Sequence, residues 1–297
     1  MQIIDPHHHL WDLERNPYTW LRPETPHPAG DLTAICRSYL LDEYLAESTG
    51  FELQKSVHLQ AEIDRSDPVR ETAWLQQIAD SPDSHGFPHG IVGFADLADP
   101  EVKAVLEGHC RHANMRGIRY LLNYEDDPLY RATDRGDWLR DEAWQRGYAL
   151  LAKHGLSFDL QIFWHQMADA FALAQRFPDI QVILNHTGMP RKADPHYIEA
   201  WRQGMRTLAA APNVAAKISG LNMYHHDWTP ELIRPFVLDA IEIFGVDRCM
   251  FASNFPVDKL HADYDQLWHA FDAITADFAP ADRRALFHDN AARLYRL

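Results

Sequence analysis

The chain contains 297 residues, of which 46% are hydrophobic and 24% are charged, a composition typical of a folded globular protein. Its 28 basic and 43 acidic residues give a formal charge of −15 at pH 7. No run of Lys and Arg forms the basic surface that nucleic acids and anionic membranes require, so both are excluded as partners and a small-molecule substrate is predicted.

Short apolar segments rich in β-branched residues recur along the chain and predict eight β-strands. In chain order they cover residues 2–5, 55–60, 90–95, 116–121, 156–163, 180–186, 213–220 and 248–253. Amphipathic segments between them predict helices, including 68–80, 100–113, 144–155 and 230–245. Asp67, Asp99, Asp194 and Thr229 each precede a proline, so we expect these four side chains to cap helix N-termini.

The alternation of strands with helices predicts an α/β fold, a single-domain (β/α)₈ TIM barrel that occupies residues 1–297. A doubly wound open sheet is the alternative because periodicity does not distinguish the two, although no GxGxxG motif follows the first strand. The longest insertions follow the first strand, at about residues 10–37, and the fourth, at about 123–137. In a barrel both lie at the C-terminal ends of the strands, where loops carry function.

The cysteines and the N-terminal segment bear on the cellular location. Cys36, Cys110 and Cys249 are far apart and form no CxxC pair, so neither a disulfide framework nor a cysteine zinc site is indicated. The first residues carry no basic and apolar signal segment, and no apolar run is long enough to span a bilayer. We therefore expect a cytoplasmic protein, while the oligomeric state is left open.

The first strand runs into the sequence DPHHHLWD, whose three histidines could belong to a purification tag, a turn or a metal site. A tag would be longer and flanked by linker residues, whereas these histidines continue a strand. Side chains alternate across a strand, so His7 and His9 point to one face and His8 to the other. At the end of a barrel strand this directs two imidazoles to the barrel axis. The alternative is a pair of partly buried histidines bonded to carbonyls.

Further motifs lie within or at the ends of the later strands: RGIR, NHTGMP and KISGL. Together with IDPHHHLWD and the terminal NAARLYRL, they make the chain resemble the amidohydrolase superfamily. The resemblance is to the amidohydrolase-related (amidohydrolase 2) family, which includes sugar-lactone and pyrone-dicarboxylate lactonases, and it covers nearly the whole chain. It implies a (β/α)₈ barrel that hydrolyses a cyclic ester or a related carboxyl-type bond at the C-terminal ends of its strands.

The resemblance also assigns residues. It carries the family's first-strand histidine pair onto His7 and His9 and its sixth-strand histidine onto His186. The chain departs from the family at Asn254, where an SDWP-like motif usually supplies an Asp that acts as base or metal ligand. An amide does not ionise, so Asn254 neither takes a proton from water nor offers an anionic ligand. Asp258 follows closely and is a candidate to replace that carboxylate, with a helix cap as the alternative.

Polar residues at alternate positions near strand ends are further candidates for a substrate-binding pocket. Strand alternation directs Arg119 into the barrel mouth, where its guanidinium is expected to bind a carboxylate or hydroxyls. A salt bridge to a neighbouring strand is the alternative for this residue. The other candidates line the pocket or form an interior polar network, and they are Gln60, Glu62, Asp159, Gln161, Lys217 and Ser219.

The resemblance therefore implies a hydrolase that opens the lactone of a sugar acid or of a similar small carboxylate. His7, His9, His186 and Arg119 supply positive or donor character around the carbonyl, and the base is open between Asp258, Asp159 and a neutral His186. No cofactor is expected to be required; zinc or another divalent metal would be held weakly by the three histidines, because Asn254 adds no charge. A metal-dependent decarboxylase of the same superfamily and an inactive barrel that binds a small acid or sugar are the alternatives.

Overall fold

The computed structural model describes residues 1–297 and contains one sheet of eight parallel strands in the order β1 to β8. The strands are β1 Gln2–His8, β2 Glu52–Leu59, β3 Gly90–Gly93, β4 Met115–Leu121, β5 Ser157–Gln161, β6 Val182–Leu184, β7 Val214–Ile218 and β8 Cys249–Phe251. All eight predicted strands are present, and the sequential order of neighbours excludes the doubly wound alternative. The fold is a nearly closed TIM barrel.

Helices connect the strands and surround the barrel. They are α1 Leu41–Glu47, α2 Val69–Ala79, α3 Val102–His109, α4 Glu142–His154, α5 Met167–Arg176, α6 Pro195–Ala209, α7 Pro230–Phe244, α8 Tyr264–Ile274, α9 Pro280–Arg284 and α10 Asn290–Tyr295. None of them is long and apolar enough to cross a membrane.

Two of the four predicted helix caps form. Asp194 accepts bonds from the backbone amides of His196 and Tyr197, and Thr229 accepts one from Leu232. Asp67 and Asp99 do not cap: α2 and α3 begin two and three residues after them, at Val69 and Val102. The Asp99 carboxylate instead accepts a bond from the amide of Glu101, two residues on, and so stabilises the turn that precedes α3.

The barrel closes where β1 meets β8, and this seam is short. The backbone amide of His9 donates to the carbonyl of Phe255, and that of Asn254 donates to the carbonyl of His7. Below these bonds the buried Asp5 carboxylate accepts hydrogen bonds from the amide and hydroxyl of Ser253, at 3.0 and 2.6 Å. The contact between β1 and the segment after β8 thus consists of a few backbone hydrogen bonds and of the side-chain bonds between Asp5 and Ser253.

The N-terminal half of the barrel interior is filled by apolar side chains and closed from below. Strand residues such as Ile4, Val57 and Met250 pack there against the side chains of Leu294 and Tyr295 from α10. A separate and larger apolar cluster lies between the strands and the surrounding helices. Because the lower interior is packed, the cavity inside the barrel lies at the C-terminal ends of the strands, where the insertions lie.

A β-bulge in β1 sets the direction of the histidines. Asp5 pairs with Ser56 and His8 pairs with His58, so three steps along β1 match two along β2. Without the extra residue, alternation from the interior Ile4 would turn His8 inward. With it, the ring of His8 lies outside and stacks on Tyr44 at 4.2 Å between centroids, while His7 and His9 face the interior.

Outside the barrel, the side chain of His109 joins α3 to its neighbours. It is buried; Nε2 donates to the carbonyl of Phe94, and Nδ1 accepts from the hydroxyl of Thr72, both at 2.8 Å. Burial lowers the pKa of His109 from 6.5 to about 4. The imidazole is therefore neutral in the folded protein at neutral pH.

Replacing His109 by Gln tests this assignment through stability. Below pH 6.5 the unfolded chain binds a proton at this position and the folded chain does not until about pH 4, so acid favours unfolding in that window. One such proton lowers the free energy of unfolding by about 1.4 kcal/mol per pH unit. Urea titrations should show stability falling less steeply with acid in His109→Gln than in wild type, whereas His196→Gln, at an exposed position, keeps the wild-type slope. Equal slopes in wild type and His109→Gln would contradict the prediction.

Candidate functional site

A cavity of about 610 Å³ opens at the C-terminal ends of the strands. Six of the candidate residues line it, namely His9, Glu62, Arg119, Gln161, His186 and Asn254. The other six lie behind this wall in the barrel interior, namely His7, Gln60, Asp159, Lys217, Ser219 and Asp258. The barrel thus brings all twelve to one end or to the layer beneath it, but only half of them face the open space.

The three candidate histidines form one cluster. The ring centroid of His7 lies 5.1 Å from that of His9 and 4.5 Å from that of His186. Nδ1 of His9 donates to the carbonyl of Leu59 at 2.8 Å, and Nδ1 of His186 lies 3.0 Å from the hydroxyl of Ser219. Neither ring nitrogen of His7 has a partner although the residue is buried. Because Nδ1 of His9 donates to the carbonyl of Leu59, the neutral ring carries its proton on Nδ1 and presents an unprotonated Nε2.

Burial and neighbouring cations keep these imidazoles uncharged. Burial lowers the pKa of each of the three well below 6.5. Positive charge on Lys217 lowers the pKa of His7 further, and that on Arg119 does the same for His9 and His186. Neutral imidazoles accept protons or bind metals, whereas imidazolium does neither.

The side-chain amide of Asn254, which follows β8, is held by the carboxyl group of Asp258. Nδ2 of Asn254 donates to Oδ1 of Asp258 at 2.6 Å, and both side chains are buried. The amide oxygen of Asn254 is thereby the atom left for the cavity. Burial raises the pKa of Asp258 well above its ordinary value, and its Oδ2 has no partner. Asp258 does not cap a helix; it orients the amide.

Arg119 is buried and forms no ion pair. One guanidinium nitrogen donates to the carbonyl of Gln60, and Nε has no partner. The predicted alternative of a salt bridge is therefore wrong. The nearby carboxylate of Glu62 is engaged elsewhere: it accepts from Gln60 at 2.6 Å and from Arg65 at 2.8 Å. A guanidinium without an ion-pair partner at the wall of a cavity is suited to bind an oxygen-rich group of a ligand.

Asp159 and Lys217 form a buried pair below the histidines. Three donors converge on Oδ1 of Asp159: Nζ of Lys217 at 2.7 Å, the hydroxyl of Tyr295 at 2.7 Å and Nδ2 of Asn185 at 3.0 Å. Burial lowers the pKa of Lys217 to about 8, against the opposing effect of Asp159. Neither side chain lines the cavity, so their link to the site is through charge rather than contact.

The backbone around the cavity adopts left-handed conformations at residues other than glycine. His186, Thr187 and Asn254 have φ values of 53°, 56° and 57°, and Glu62 has a φ of 58°. Such conformations are uncommon for residues with a Cβ and are retained where the surrounding structure holds them. A Cβ on the adjacent Gly220 would lie 2.6 Å from Nδ1 of His186, so this glycine makes room for the imidazole.

Several residues of the cavity wall were not predicted from the sequence. Trp20 and His27 come from the insertion after β1, and Tyr130 and Arg131 come from the insertion after β4. Tyr224, which follows β7, also lines the cavity. The length of the two insertions predicted that the cavity lies at the C-terminal ends of the strands, but it did not predict which side chains line it.

The histidine cluster has some, but not all, of the features of a divalent metal site. Three neutral imidazoles, one with both nitrogens unpartnered, have the chemistry that zinc uses, and the Nδ1 bond of His9 to a carbonyl is a common support for a ligand. The cluster contributes no carboxylate, and no group of three or more His, Cys, Asp or Glu side chains is arranged to hold a metal ion. The donors fit the ion in kind, while their arrangement does not form a complete site.

Fold and site together define a TIM-barrel enzyme whose histidine-lined cavity lies at the C-terminal ends of the strands. The family model described as Amidohydrolase matches residues 4–297, and the chain belongs to that family. The family and its lactonase-named members identify the protein as a hydrolase.

The relatives extend over the whole chain. The protein y4mH of Sinorhizobium fredii is 51% identical over 99% of this chain and 98% of its own. An L-fucono-1,5-lactonase of Burkholderia multivorans is 29% identical over 99% of this chain and 96% of its own. A solved amidohydrolase structure from Burkholderia multivorans with bound zinc is 28% identical, covers 100% of both chains and has a TM-score of 0.83.

Asn254→Asp tests the role of the missing charge. A carboxylate beside three neutral imidazoles offsets part of the charge of a bound ion, so we expect the variant to bind zinc at least about tenfold more tightly than wild type. Competition with a chromophoric chelator measures this affinity. Asn16→Asp, which adds the same charge in the insertion after β1, should not change it.

Wild-type activity should persist in the presence of a chelator. Near-stoichiometric zinc in the wild type, with activity lost on chelation and restored by zinc, would overturn the prediction.

Proposed function

We propose that the protein hydrolyses the lactone of a sugar acid or of a similar small carboxylate. The observation that carries the proposal is the buried Arg119, which has no ion-pair partner and faces the same cavity as two neutral imidazoles. An ester carbonyl that becomes negatively charged during hydrolysis needs such a donor. The similarity to an L-fucono-1,5-lactonase supports the same chemistry.

In this proposal Arg119 stabilises the oxygen of the lactone carbonyl as water attacks. The guanidinium is already desolvated and is held by the carbonyl of Gln60, so little reorganisation is needed when charge develops on the substrate. Gln161 and Glu62, which also line the cavity, would bind the ring hydroxyls as donor and acceptor.

The water is activated by groups that accept protons. Nε2 of His9 is unprotonated because Nδ1 donates to Leu59, and His186 is neutral in the folded protein. We assign the role of base to one of these two imidazoles, both of which line the cavity. The amide oxygen of Asn254, oriented by Asp258, would accept a hydrogen bond from the same water. His7, Ser219, Asp159 and Lys217 would act from behind the wall, by position and charge.

A divalent metal is compatible with the histidine cluster and is not required by the proposal. When bound, it would be held by His7, His9 and His186 and would polarise the carbonyl and acidify water. Its weak retention is proposed on the basis of the amide at position 254. With the metal bound, the lone pairs of His9 and His186 would be used as ligands, so the imidazole base acts in the metal-free protein, whereas the role of Arg119 is the same in either case.

A lactone panel with a pH indicator tests the proposal, because each ring opening releases an acid. We expect wild type to hydrolyse at least one sugar-acid lactone and His186→Ala to lose the activity, since it removes a candidate base from the cavity wall. His196→Ala, which truncates an exposed histidine on α6, should retain it. Release of carbon dioxide from an aromatic acid would favour the decarboxylase. Ligand binding without turnover of any lactone would favour the inactive binding barrel.

Arg119→Lys tests the guanidinium itself. Lysine keeps the charge but has no planar fork, so kcat/KM for the lactone should fall by at least about tenfold. Arg116→Lys is a matched control on the same strand, because Arg116 lies at the opposite end and donates to the carbonyls of Ala113 and Met115. Steady-state kinetics of the two variants separate the roles. Unchanged kinetics in Arg119→Lys would show that this side chain does not contact the reacting group.

A further inference from the structure

A second cavity of about 360 Å³ lies beside the first at the barrel mouth. Pro28, Tyr130 and Tyr224 line both cavities, so the two adjoin along a wall that contains two aromatic rings. The second cavity, called the outer cavity here, lies farther from the histidine cluster and contains none of the candidate catalytic residues. No role in the hydrolysis proposed above accounts for it.

Arg191 organises the wall of the outer cavity. Its guanidinium lies 4.3 Å from the ring centroid of Tyr130 and 4.7 Å from that of Phe163, between a loop residue and the end of β5. It forms an ion pair with Oε1 of Glu125, and its Nε is buried without a partner. The side chain of Arg191 is 11% exposed and that of Glu125 is 26% exposed, so the pair is held in place yet open on the cavity side.

These groups match the chemistry of a sugar ring. Hydroxyl groups both donate and accept, and an arginine–carboxylate pair offers fixed donors and acceptors side by side. The C–H face of a pyranose is apolar and packs on aromatic rings such as those of Tyr130 and Tyr224, whose centroids are 6.2 Å apart. The outer cavity combines both features in one place.

The dimensions agree with a ligand longer than one ring. Cavities of about 300–1,000 Å³ accommodate drug-sized ligands, and a single-ring sugar lactone is much smaller than these. The inner cavity of about 610 Å³ therefore exceeds the needs of one lactone ring, and the adjoining outer cavity adds about 360 Å³.

We propose that the outer cavity is a second sugar subsite and that the substrate is the lactone of a disaccharide acid. The lactone ring lies in the inner cavity near Arg119, and the second pyranose ring lies in the outer cavity against Tyr130 and the Arg191–Glu125 pair. The inference rests on the lactonase function proposed above and specifies its substrate class.

The experiment compares one-ring and two-ring aldonolactones, using glucono-1,5-lactone and the lactones of cellobionic and lactobionic acid. We expect wild type to hydrolyse at least one two-ring lactone with a kcat/KM about tenfold above that of the one-ring lactone. Arg191→Met, which removes the charged partner of Glu125 and the cation between the two rings, should lower this ratio about tenfold. Arg206→Met removes an arginine from the outer face of α6 and should leave the ratio unchanged.

Calorimetry with the corresponding acids keeps the inference testable apart from turnover. Cellobionic or lactobionic acid should bind wild type about tenfold more tightly than gluconic acid, and Tyr130→Ala, a second variant in the shared wall, should remove that difference. Hydrolysis of one-ring lactones without any preference for two-ring lactones or acids would overturn the second subsite and leave the lactonase function standing. Failure to hydrolyse every lactone, with the two-ring acids still bound more tightly, would overturn the lactonase function and retain the sugar subsite.

Discussion

The structure depends on how the first strand is joined to the last, because every catalytic candidate is placed by a closed barrel. Few backbone bonds cross this seam, and the buried carboxyl group of Asp5 completes it by accepting bonds from Ser253 on one side and from the hydroxyls of Tyr44 and Tyr264 on the other. Burial raises the pKa of Asp5, and these bonds oppose that rise. The same carboxyl group therefore links β1, β8 and two surrounding helices directly below the histidines.

Charge is distributed unevenly along the barrel axis. Lys217 and Asp159 form a buried pair beneath the imidazoles, whereas Arg119 at the cavity wall has no carboxylate of its own. Burial, with a smaller effect of these cations, holds the histidines neutral, and the guanidinium at the cavity wall has no ion-pair partner. A ligand with oxygen atoms near Arg119 would supply the hydrogen-bond acceptors that its guanidinium lacks in the free protein.

The sequence predicted the barrel because strand periodicity is a local property, and the family motifs supplied the histidines and Asn254 near its mouth. It did not predict the bulge between Asp5 and His8, since that depends on pairing with β2. The position of Asp258 behind Asn254 depends on a turn with a left-handed residue, and a short sequence does not reveal which side chain faces the cavity. The partners of Asp159 come from three distant segments, so no spacing rule could have found them.

The bottom of the barrel is closed by α10, a helix that follows all eight strands in the chain. Tyr295 on α10 fills the bottom of the barrel and donates to Asp159, which also holds Lys217. All eight strands precede this helix in the chain, so they are synthesised before the residues that close the bottom of the barrel. Nascent barrels that lack α10 would expose the apolar side chains of Ile4, Val57 and Met250, the kind of surface that chaperones bind and that leads to aggregation. Burial of the interior apolar side chains is therefore complete only when α10 has packed against the strands.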